Sequence, residues 1–476
     1  MTWGDLLPLS PLLALTVTTV VVMLLAAFWR SHLVALVFTM LGLAAAFATL
    51  FVAATAGDRR VTHLLVFDGP ALFYIGLVVA ATAAVALLSW GYLGRLPVDP
   101  EEFYVLLLGA ALGAATLTAA THFASFFLGL EILSVALYAL IAYPVFGARH
   151  IEAAVKYLVL GGSTSAFLLF GMALVYAVTG EMAPAALEAT LAGGPGLDLV
   201  IVTGVALMLV GVGFKLALVP FHMWAPDVYQ GAPAPVTAFI ATVSKSAVVA
   251  LLLRFFRPVA LDQTSGLFLA LAAISVASML GGNLLALRQD NVKRILAYSS
   301  IAHLGYILVA FLAAGRDATA AVTFYVVAYT ATNLAAFGVI AALTRDGGEA
   351  EELVSYRGLG TRRPWLAAVF AVALFSLAGI PLTVGFIGKF YLVTAGAAAS
   401  LWVLLIVLVV GSTISLYYYT RIIVAMYARA PGDEPLGRAA LPAGMVLAAL
   451  TAVMVWLGVY PSPVIRLIES LVSTLP

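Results

Sequence analysis

The sequence contains no cysteine and very little charge. Of its 476 residues, 64% are hydrophobic and 9% are charged, and the formal net charge is +1. The lack of cysteine excludes disulfides, Cys-ligated iron–sulfur clusters and zinc sites built on cysteine. The net charge gives no electrostatic support for binding nucleic acid. A chain with so few charges is not an ordinary soluble domain.

Long polar segments are also scarce, and the only ones lie near residues 180–197 and 344–363. Neither could fold as a catalytic domain. Apolar runs long enough to cross a hydrocarbon core of about 30 Å recur along the whole chain, and the alternating pattern of a membrane β-barrel is absent. We therefore predict an all-α polytopic membrane protein whose function lies among its helices.

The apolar runs predict about 14 transmembrane helices, called spans 1 to 14. The first run has no basic leading segment and no small-residue cleavage site, so we expect it to be retained rather than removed as a signal peptide. The approximate bounds of the spans are 9–28, 33–55, 70–92, 103–121, 122–143, 152–178, 198–220, 235–256, 266–287, 294–314, 319–343, 364–395, 400–428 and 440–460.

The basic residues in the loops predict the orientation of the chain. Loops after odd-numbered spans hold 12 lysines and arginines, and loops after even-numbered spans hold 5. Because basic loops stay on the cytoplasmic side of a membrane, we expect the odd loops in the cytoplasm and both termini outside.

Lysine and arginine are distributed differently along the chain. The 18 arginines lie mostly in loops or at helix ends, and of the five lysines only Lys293 lies in a clear loop. Of the 22 acidic residues, only Glu131 lies in the middle of an apolar run. A desolvated lysine can release its proton, whereas an arginine effectively cannot. Lysines inside and arginines outside are typical of a membrane protein that stores and releases protons. The four lysines within or at the ends of apolar segments are Lys156, Lys215, Lys245 and Lys389.

Two of the predicted helices are interrupted. Span 7 carries Lys215 and is broken at Pro220, where a crossing rich in glycine and proline begins with His222. Span 12 is broken near Pro381, and Lys389 lies beyond that break. In lipid, a broken backbone is tolerated only where protein or water satisfies the freed polar groups. The breaks therefore indicate the functional part of the chain.

The two breaks belong to a predicted internal repeat. Two spans before each broken helix lies one buried titratable residue, Glu131 in span 5 and His303 in span 10. The separation is 84 residues from Glu131 to Lys215 and 86 residues from His303 to Lys389. We predict that spans 4–8 are repeated as spans 9–13. Because each copy has an odd number of spans, the copies are inverted, and paired broken helices in inverted halves mark an ion path near the midplane.

This repeat divides the chain into four predicted parts. They are an N-terminal three-helix segment (1–102), a first antiporter-like repeat (103–260), a second, inverted repeat (261–430) and a C-terminal helix with its tail (431–476).

Each buried charge also has a purely structural interpretation. Glu131 could pair with a neighbouring helix only for packing, and the lysines could extend to the membrane interface, an explanation that suits Lys156 best. Buried carboxylates in membrane helices usually pair within the bundle, and we expect Lys215 to be the partner of Glu131. Such a pair would be a switch, because breaking it lets the lysine lose its proton. Lys245 lies near the middle of its span, which favours a functional role.

The two candidate histidines have the same ambiguity. His303 shares a helical face with Ser299, Ser300 and Tyr306, a setting that suits proton relay better than packing alone. His222 lies beside the break in span 7, and we expect it to relay between the lysines of spans 7 and 8. Histidine and carboxylate residues do not show metal-ligand spacing on one helix, so no metal site is predicted.

Four segments closely resemble the antiporter-like subunits of respiratory complex I, and the resemblance extends over nearly the whole chain. It is greatest to the N-subunit family of bacterial NADH–quinone oxidoreductase. The chain lacks the long lateral helix of the L subunit, has lysine rather than the glutamate of the M subunit at position 389, and has an N-like lysine–tyrosine pair in span 6. The multi-subunit sodium/proton antiporters share the core motif and remain the alternative. The segments are AAVKYLVLGGSTSAFLLFGMALVYAVTG, GFKLALVPFHMWAPDVYQGAPAPVTAFIATVSK, NVKRILAYSSIAHLGY and LAGIPLTVGFIGKFYL.

The resemblance implies a subunit that exports protons while electrons pass from NADH to quinone elsewhere in the complex. It implies no cofactor in this chain, with NAD, flavin, iron–sulfur clusters and quinone in partner subunits. The implied partners are the M-type and small K- and J-type subunits, the lateral helix of the L subunit, and lipid, in the bacterial plasma membrane. The implied site residues are Glu131 and Lys215 as the coupling pair, Lys156 linked to that pair, Lys245 as the central carrier, His303 as a relay and Lys389 as the terminal lysine.

Overall fold

The computed structural model of the chain describes residues 3–143, 147–184, 199–256, 263–345, 348–429 and 437–472. These residues are almost entirely helical, which confirms the predicted all-α membrane fold. Thirteen of the described helices are long and apolar enough to cross a membrane, and two shorter apolar helices occupy the place of span 12. Together they account for the 14 predicted crossings.

The helices of the first half match spans 1 to 7 and end in a short crossing helix. A two-stranded antiparallel hairpin, β1 (Arg59–Val61) and β2 (Leu65–Phe67), joins the second and third helices and was not predicted. The helices are α1 (Trp3–Phe28), α2 (His32–Thr55), α3 (Gly69–Leu93), α4 (Pro100–Ala119), α5 (Phe123–Ile141), α6 (Ala148–Thr179), α7 (Leu199–Leu216) and α8 (Trp224–Gly231).

The helices of the second half match spans 8 to 14. Span 12 is present as two helices, α13 and α14, and an amphipathic helix, α17, occupies what was predicted as a tail. The helices are α9 (Ala234–Phe256), α10 (Gly266–Ala286), α11 (Val292–Ala313), α12 (Gly315–Leu343), α13 (Pro364–Ala378), α14 (Val384–Ala398), α15 (Trp402–Tyr427), α16 (Leu441–Val459) and α17 (Ser462–Val472).

Three helices form the centre of the molecule. Nearly every residue of α9, α11 and α12 is buried, whereas α1, α2, α6 and α16 expose much of their apolar surface. A helix that is apolar on all sides belongs either in a protein core or in lipid. The central helices carry many buried serine, threonine, asparagine and tyrosine side chains, among them Ser300 on α11 and Tyr329 on α12.

Both interruptions are present, and proline chemistry explains where the helices end. The α7 helix ends at Leu216, four residues before Pro220, because a proline ring clashes with the carbonyl of residue i−4 and has no amide to donate. The break therefore begins earlier than the predicted position. The α13 helix ends at Ala378, and Gly379 then takes a φ of +84°, the left-handed conformation that commonly terminates helices. Pro381 follows in the gap before α14.

Of the three predicted boundaries between the four parts, one lies within the described residues, and it does not coincide with the start of a helix. The boundary after residue 102 falls in the first turn of α4, and the boundaries after residues 260 and 430 lie outside the described residues. The division remains a prediction.

Candidate functional site

Lys215 lies in the last turn of α7 and is buried between three helices. Its ammonium donates to the Ser134 hydroxyl on α5 at 2.7 Å and to the Tyr157 hydroxyl on α6 at 3.1 Å. The Trp224 ring of α8 packs at a tilt against the Tyr157 ring, with 4.8 Å between centroids, and its indole N–H donates to the carbonyl of Phe214 at 2.8 Å. Two hydroxyls therefore solvate the charge while aromatic rings close one side of the site.

Glu131 does not contact Lys215, so the predicted direct pairing is wrong in this structure. The carboxylate accepts a hydrogen bond from the Ser165 hydroxyl on α6 at 2.5 Å. The cause is the rotation of α5, which directs the partly exposed Glu131 toward α6 and buries Ser134 against α7. Because Ser134 lies one turn after Glu131, the acid and the base are neighbours joined through α5 rather than bonded partners.

The two predicted secondary relays do not reach Lys215 in this structure. Lys156 lies near the start of α6 and pairs with Asp227 of α8 at 2.7 Å, in an open cleft. Its neighbour Tyr157 is the residue that bonds to Lys215. His222 lies in the loop before α8, and its buried Nδ1 has no hydrogen-bond partner within the described chain.

Lys245 lies at the centre of the molecule, directly after a π-helical turn, Ile240–Ser244, in α9. Such turns are frequent at functional sites. The ammonium donates to the Ser300 hydroxyl on α11. Ser300 also accepts from the Tyr329 hydroxyl of α12 at 2.6 Å and lies 3.3 Å from the Tyr229 hydroxyl of α8. One serine thus joins polar groups from α8, α9, α11 and α12 around the lysine.

His303 lies one turn beyond this cluster on α11 and has a hydroxyl at each ring nitrogen. Nδ1 lies 2.7 Å from the Tyr325 hydroxyl and Nε2 lies 3.2 Å from the Tyr419 hydroxyl. Tyr419 is in turn hydrogen-bonded to Ser299. A neutral imidazole donates through one nitrogen and accepts through the other. The arrangement can therefore take up a proton on one side and release one on the other.

Lys389 lies in α14, just beyond the second break. Its ammonium donates to the carbonyl of Ala378, the last residue of α13, at 2.9 Å and to the Ser412 hydroxyl on α15 at 2.8 Å. The Tyr306 ring lies 5.5 Å from the ammonium. Gly379 suits this position because of its left-handed φ, and a Cβ atom there would approach the Lys389 side chain to 2.9 Å and displace it. The lysine satisfies a carbonyl that the break has freed.

The connections between the lysines are of two kinds. Lys215 and Lys245 are separated by rings, with Trp224 and Tyr229 at 6.4 Å between centroids. Between the Lys245 cluster and His303 the distance is short, since the Tyr329 ring of that cluster lies 5.6 Å from the His303 ring. Within the described residues, no three His, Cys, Asp or Glu side chains are grouped to hold a metal ion.

Five tyrosines and Lys293 belong to this site but were not predicted from the sequence. The tyrosines bond to Lys215, to Ser300 beside Lys245, and to His303; a buried tyrosine hydroxyl needs a partner, so tyrosines within apolar runs were the available signal. Lys293 was assigned to a loop but is fully buried in the first turn of α11. It pairs with Glu349 at 2.5 Å and donates to the Ala232 carbonyl at 2.6 Å. The tyrosines are Tyr157, Tyr229, Tyr325, Tyr329 and Tyr419.

Comparison with known proteins gives consistent results. Residues 120–415 match the family model described as NADH:quinone oxidoreductase/Mrp antiporter, TM. The chain is 51% identical over 485 residues to NADH-quinone oxidoreductase subunit N of Nitrosospira multiformis, covering 98% of this chain and 96% of that protein. A chain of respiratory complex I from Thermus thermophilus with bound aureothin is 34% identical, with a TM-score of 0.82 and coverage of 96% and 98%. A chain of the Mrp complex from Dietzia sp. has a TM-score of 0.86 and coverage of 100% and 98%, but at 21% identity this likeness shows the fold alone.

Proposed function

We propose a route for protons through this chain, which belongs to the NADH:quinone oxidoreductase/Mrp antiporter transmembrane family and, within it, to the N subunits of NADH–quinone oxidoreductase. It is a proton-translocating membrane subunit of that complex. In the proposed route, protons from the cytoplasmic face reach Lys245, pass His303 and leave by way of Lys389. Glu131 and Lys215 control entry.

The observation that carries this route is the buried polar series between Lys245 and Lys389. Lys245 bonds to Ser300, His303 has a tyrosine hydroxyl at each nitrogen, and Lys389 bonds to Ser412. Hydroxyl and imidazole groups both donate and accept hydrogen bonds, so each can pass a proton onward. Intramembrane charges are costly, and a series of them joined by such groups supports transport rather than packing. Tyr325 supplies one of the two hydroxyls at the imidazole.

The gate follows from the separation of Glu131 and Lys215. In this structure the Lys215 ammonium bonds to Ser134 and Tyr157. It lies beside the aromatic rings that separate it from Lys245. We propose a second state in which the lysine side chain turns one helical step along α5 and pairs with Glu131. A positive charge on Lys215 disfavours a second one on Lys245, and pairing with the acid weakens this repulsion. The state of the pair then sets when Lys245 accepts a proton. Lys156 belongs to the route only if it moves from Asp227, and His222 only if its free Nδ1 gains a partner.

The exposure of Glu131 supports a neighbouring subunit on this side of the molecule. Glu131 is partly exposed, on a face of α5 that also presents the exposed side chains of Leu128 and Val135. A carboxylate open to lipid is costly. We propose that a membrane subunit of the M type, or a small K- or J-type subunit, covers this face, and that the lateral helix of an L-type subunit lies along the assembly.

The proposed location is the bacterial plasma membrane, with both termini outside. The excess of basic residues in the odd loops supports this orientation. The ion pairs from Asp227 to Lys156 and to Arg294, and from Lys293 to Glu349, are all formed by segments that the orientation places at the cytoplasmic face.

The test is proton pumping by the purified complex in liposomes with Lys245→Met. Because the route has no other carrier at this position, we expect pumping and the coupled reduction of quinone to fall together by about tenfold or more, the effect of a barrier raised by about 1.4 kcal/mol. Arg466→Gln, an exposed change on α17, is the matched control and leaves both rates unchanged. Full pumping by an assembled Lys245→Met complex contradicts the route.

A further inference from the structure

A groove of about 540 Å³ opens at the end of α15, outside the lysine series. Its walls are the last turns of α15, the connection between α10 and α11, and the segment 352–357. This is the membrane boundary of the molecule, because α15 is an apolar spanning helix and the segments opposite it are polar. The charged residues that line the groove are Asp290, Glu352, Arg357 and Arg421.

The walls of the groove are held in place by hydrogen bonds. Arg421 pairs with Asp290 and also donates to the carbonyl of Gln289 at 3.1 Å. The amide of Leu353 donates to the carbonyl of Asp290 at 2.9 Å. A preformed site of this kind costs little conformational entropy when a ligand binds. The groove is therefore a built site and not a gap between loose segments.

The charges in the groove balance, with two arginines against two carboxylates. Arg357 is exposed, and its side chain makes no hydrogen bond or ion pair within the part of the chain that the structure describes. Asp290 is largely exposed and bonds to Arg421 through one carboxylate oxygen only. An anion alone meets two like charges here, and so does a cation alone. Because Arg421 and Asp290 already pair with each other, Arg357 and Glu352 are the charges left for a ligand, and a zwitterion offers one charge of the opposite sign to each.

The apolar part of the groove continues along α15 into the hydrocarbon region. Val424 is 63% exposed at the groove wall, and Tyr417, two turns earlier on the same face, is exposed as well. The surface therefore combines a site with charges of both signs and no net charge, suited to a lipid headgroup, with an apolar strip suited to an acyl chain. This is the shape and polarity of a phospholipid at the membrane interface.

We propose that this groove binds a zwitterionic phospholipid with a primary amine in its headgroup, of the phosphatidylethanolamine class. The phosphate lies against Arg357, since guanidinium groups bind phosphate oxygens with strong, directional hydrogen bonds. The ammonium lies between Asp290 and Glu352. One acyl chain follows Val424 and Tyr417. This site is independent of the proton route.

The test places a photoactivatable phenylalanine at Val424 of the full complex in cell membranes and identifies the adducts by mass spectrometry after irradiation. The matched control position is Val403, which is 72% exposed at the other end of α15. We expect phosphatidylethanolamine adducts, relative to phosphatidylglycerol adducts, to be enriched about fivefold at 424 compared with 403, the ratio that one ion pair between the lipid ammonium and a carboxylate contributes. Arg357→Gln and Glu352→Gln each abolish this enrichment at 424 only.

Equal lipid ratios at the two positions, or adducts at 424 that are peptides of a neighbouring subunit, overturn the proposal. A second measurement covers poor assembly of the labelled complex. After mild delipidation, the unsubstituted complex retains one phosphatidylethanolamine more than the Arg357→Gln complex, and equal retention also overturns the proposal.

Discussion

The two broken helices hold their lysines in different ways. At the first break, Lys215 precedes the gap, and among the described residues its ammonium bonds only to the side-chain hydroxyls of Ser134 and Tyr157. At the second break, Lys389 follows the gap and bonds to the main-chain carbonyl of Ala378 as well as to Ser412. One lysine is held by groups that can rotate, and the other is held by the helix end itself.

This difference follows from the position of each lysine relative to its break. The carbonyls at the end of α13 carry a partial negative charge that stabilises an ammonium, and without Lys389 the Ala378 carbonyl loses its shorter hydrogen bond and keeps the one from the Ser412 hydroxyl at 3.4 Å. The partners of Lys215 impose no such requirement, and Glu131 lies one turn away as an alternative. The first break is therefore suited to switching, and the second to a fixed terminal site.

The largest expected effect compares glycines at the two breaks. In Gly385→Ala, the new Cβ would lie 1.9 Å from the Ser376 carbonyl oxygen, and backbone cannot yield without opening the break. We expect a cost of about 3 kcal/mol and loss of assembled complex. In Gly213→Ala, the Cβ meets the Phe221 ring at 2.8 Å, and a ring can tilt, so the cost is about 1 kcal/mol. Native gel electrophoresis of the membranes measures assembly, and equal assembly of the two variants contradicts the expectation.

The next effect compares the serines that bond to the two lysines. Ser134→Ala leaves Lys215 with only the longer bond to Tyr157, whereas Ser412→Ala leaves Lys389 with its main-chain carbonyl. We expect quinone-coupled pumping to fall about tenfold for Ser134→Ala, the effect of losing one charge-assisted hydrogen bond, and less than about threefold for Ser412→Ala.

Both rates are normalised to assembled complex, and each serine has threonine as its conservative control, which restores the hydroxyl. A larger loss at Ser412 than at Ser134 would reverse the assignment of the switching and fixed sites.

The smallest effect concerns α8, the short helix that follows the first break as the longer α14 follows the second. Partial burial raises the pKa of Asp227 on α8, but hydrogen bonds from Lys156 and Arg294 outweigh this and hold the pKa below its ordinary value. A lowered carboxyl pKa means that the stabilisation is present at neutral pH and is lost as the pH falls below about 4. Because Asp227 is 36% exposed, screening by solvent limits its contribution to less than about 1 kcal/mol.

The measurement is thermal dissociation of the complex with and without Asp227→Asn. We expect the variant to dissociate slightly earlier at pH 7, with the difference shrinking toward pH 4 and in high salt. A difference that grows on acidification contradicts the sign of the pKa shift.

The sequence was sufficient to predict the spans and both breaks because these depend on local chemistry. An apolar run of membrane length forms a span, and the missing amide of Pro220 or Pro381 interrupts a helix, whatever the surrounding tertiary structure. The central burial of Lys245 and His303 was also predicted, since a charge in an apolar run must face the interior of the bundle.

The contacts between helices could not be predicted, because they depend on how each helix is rotated. A rotation of α5 by one residue is about 100° and decides whether Glu131 or Ser134 meets Lys215. The same limit concealed the tyrosine partners of His303. The hairpin β1–β2 was missed because three-residue strands give a weak periodic signal, whereas the eleven-residue α17 is strongly amphipathic and was missed because the prediction rested on long apolar runs.

The central claim is that the first break is a working switch, and the most direct test is Lys215→Met in the purified, reconstituted complex. Proton pumping is measured per assembled complex together with the rate of quinone reduction. The account predicts that the complex assembles normally and that both activities are lost together. Retained pumping would show that Lys215 only stabilises the broken helix, and would contradict the account.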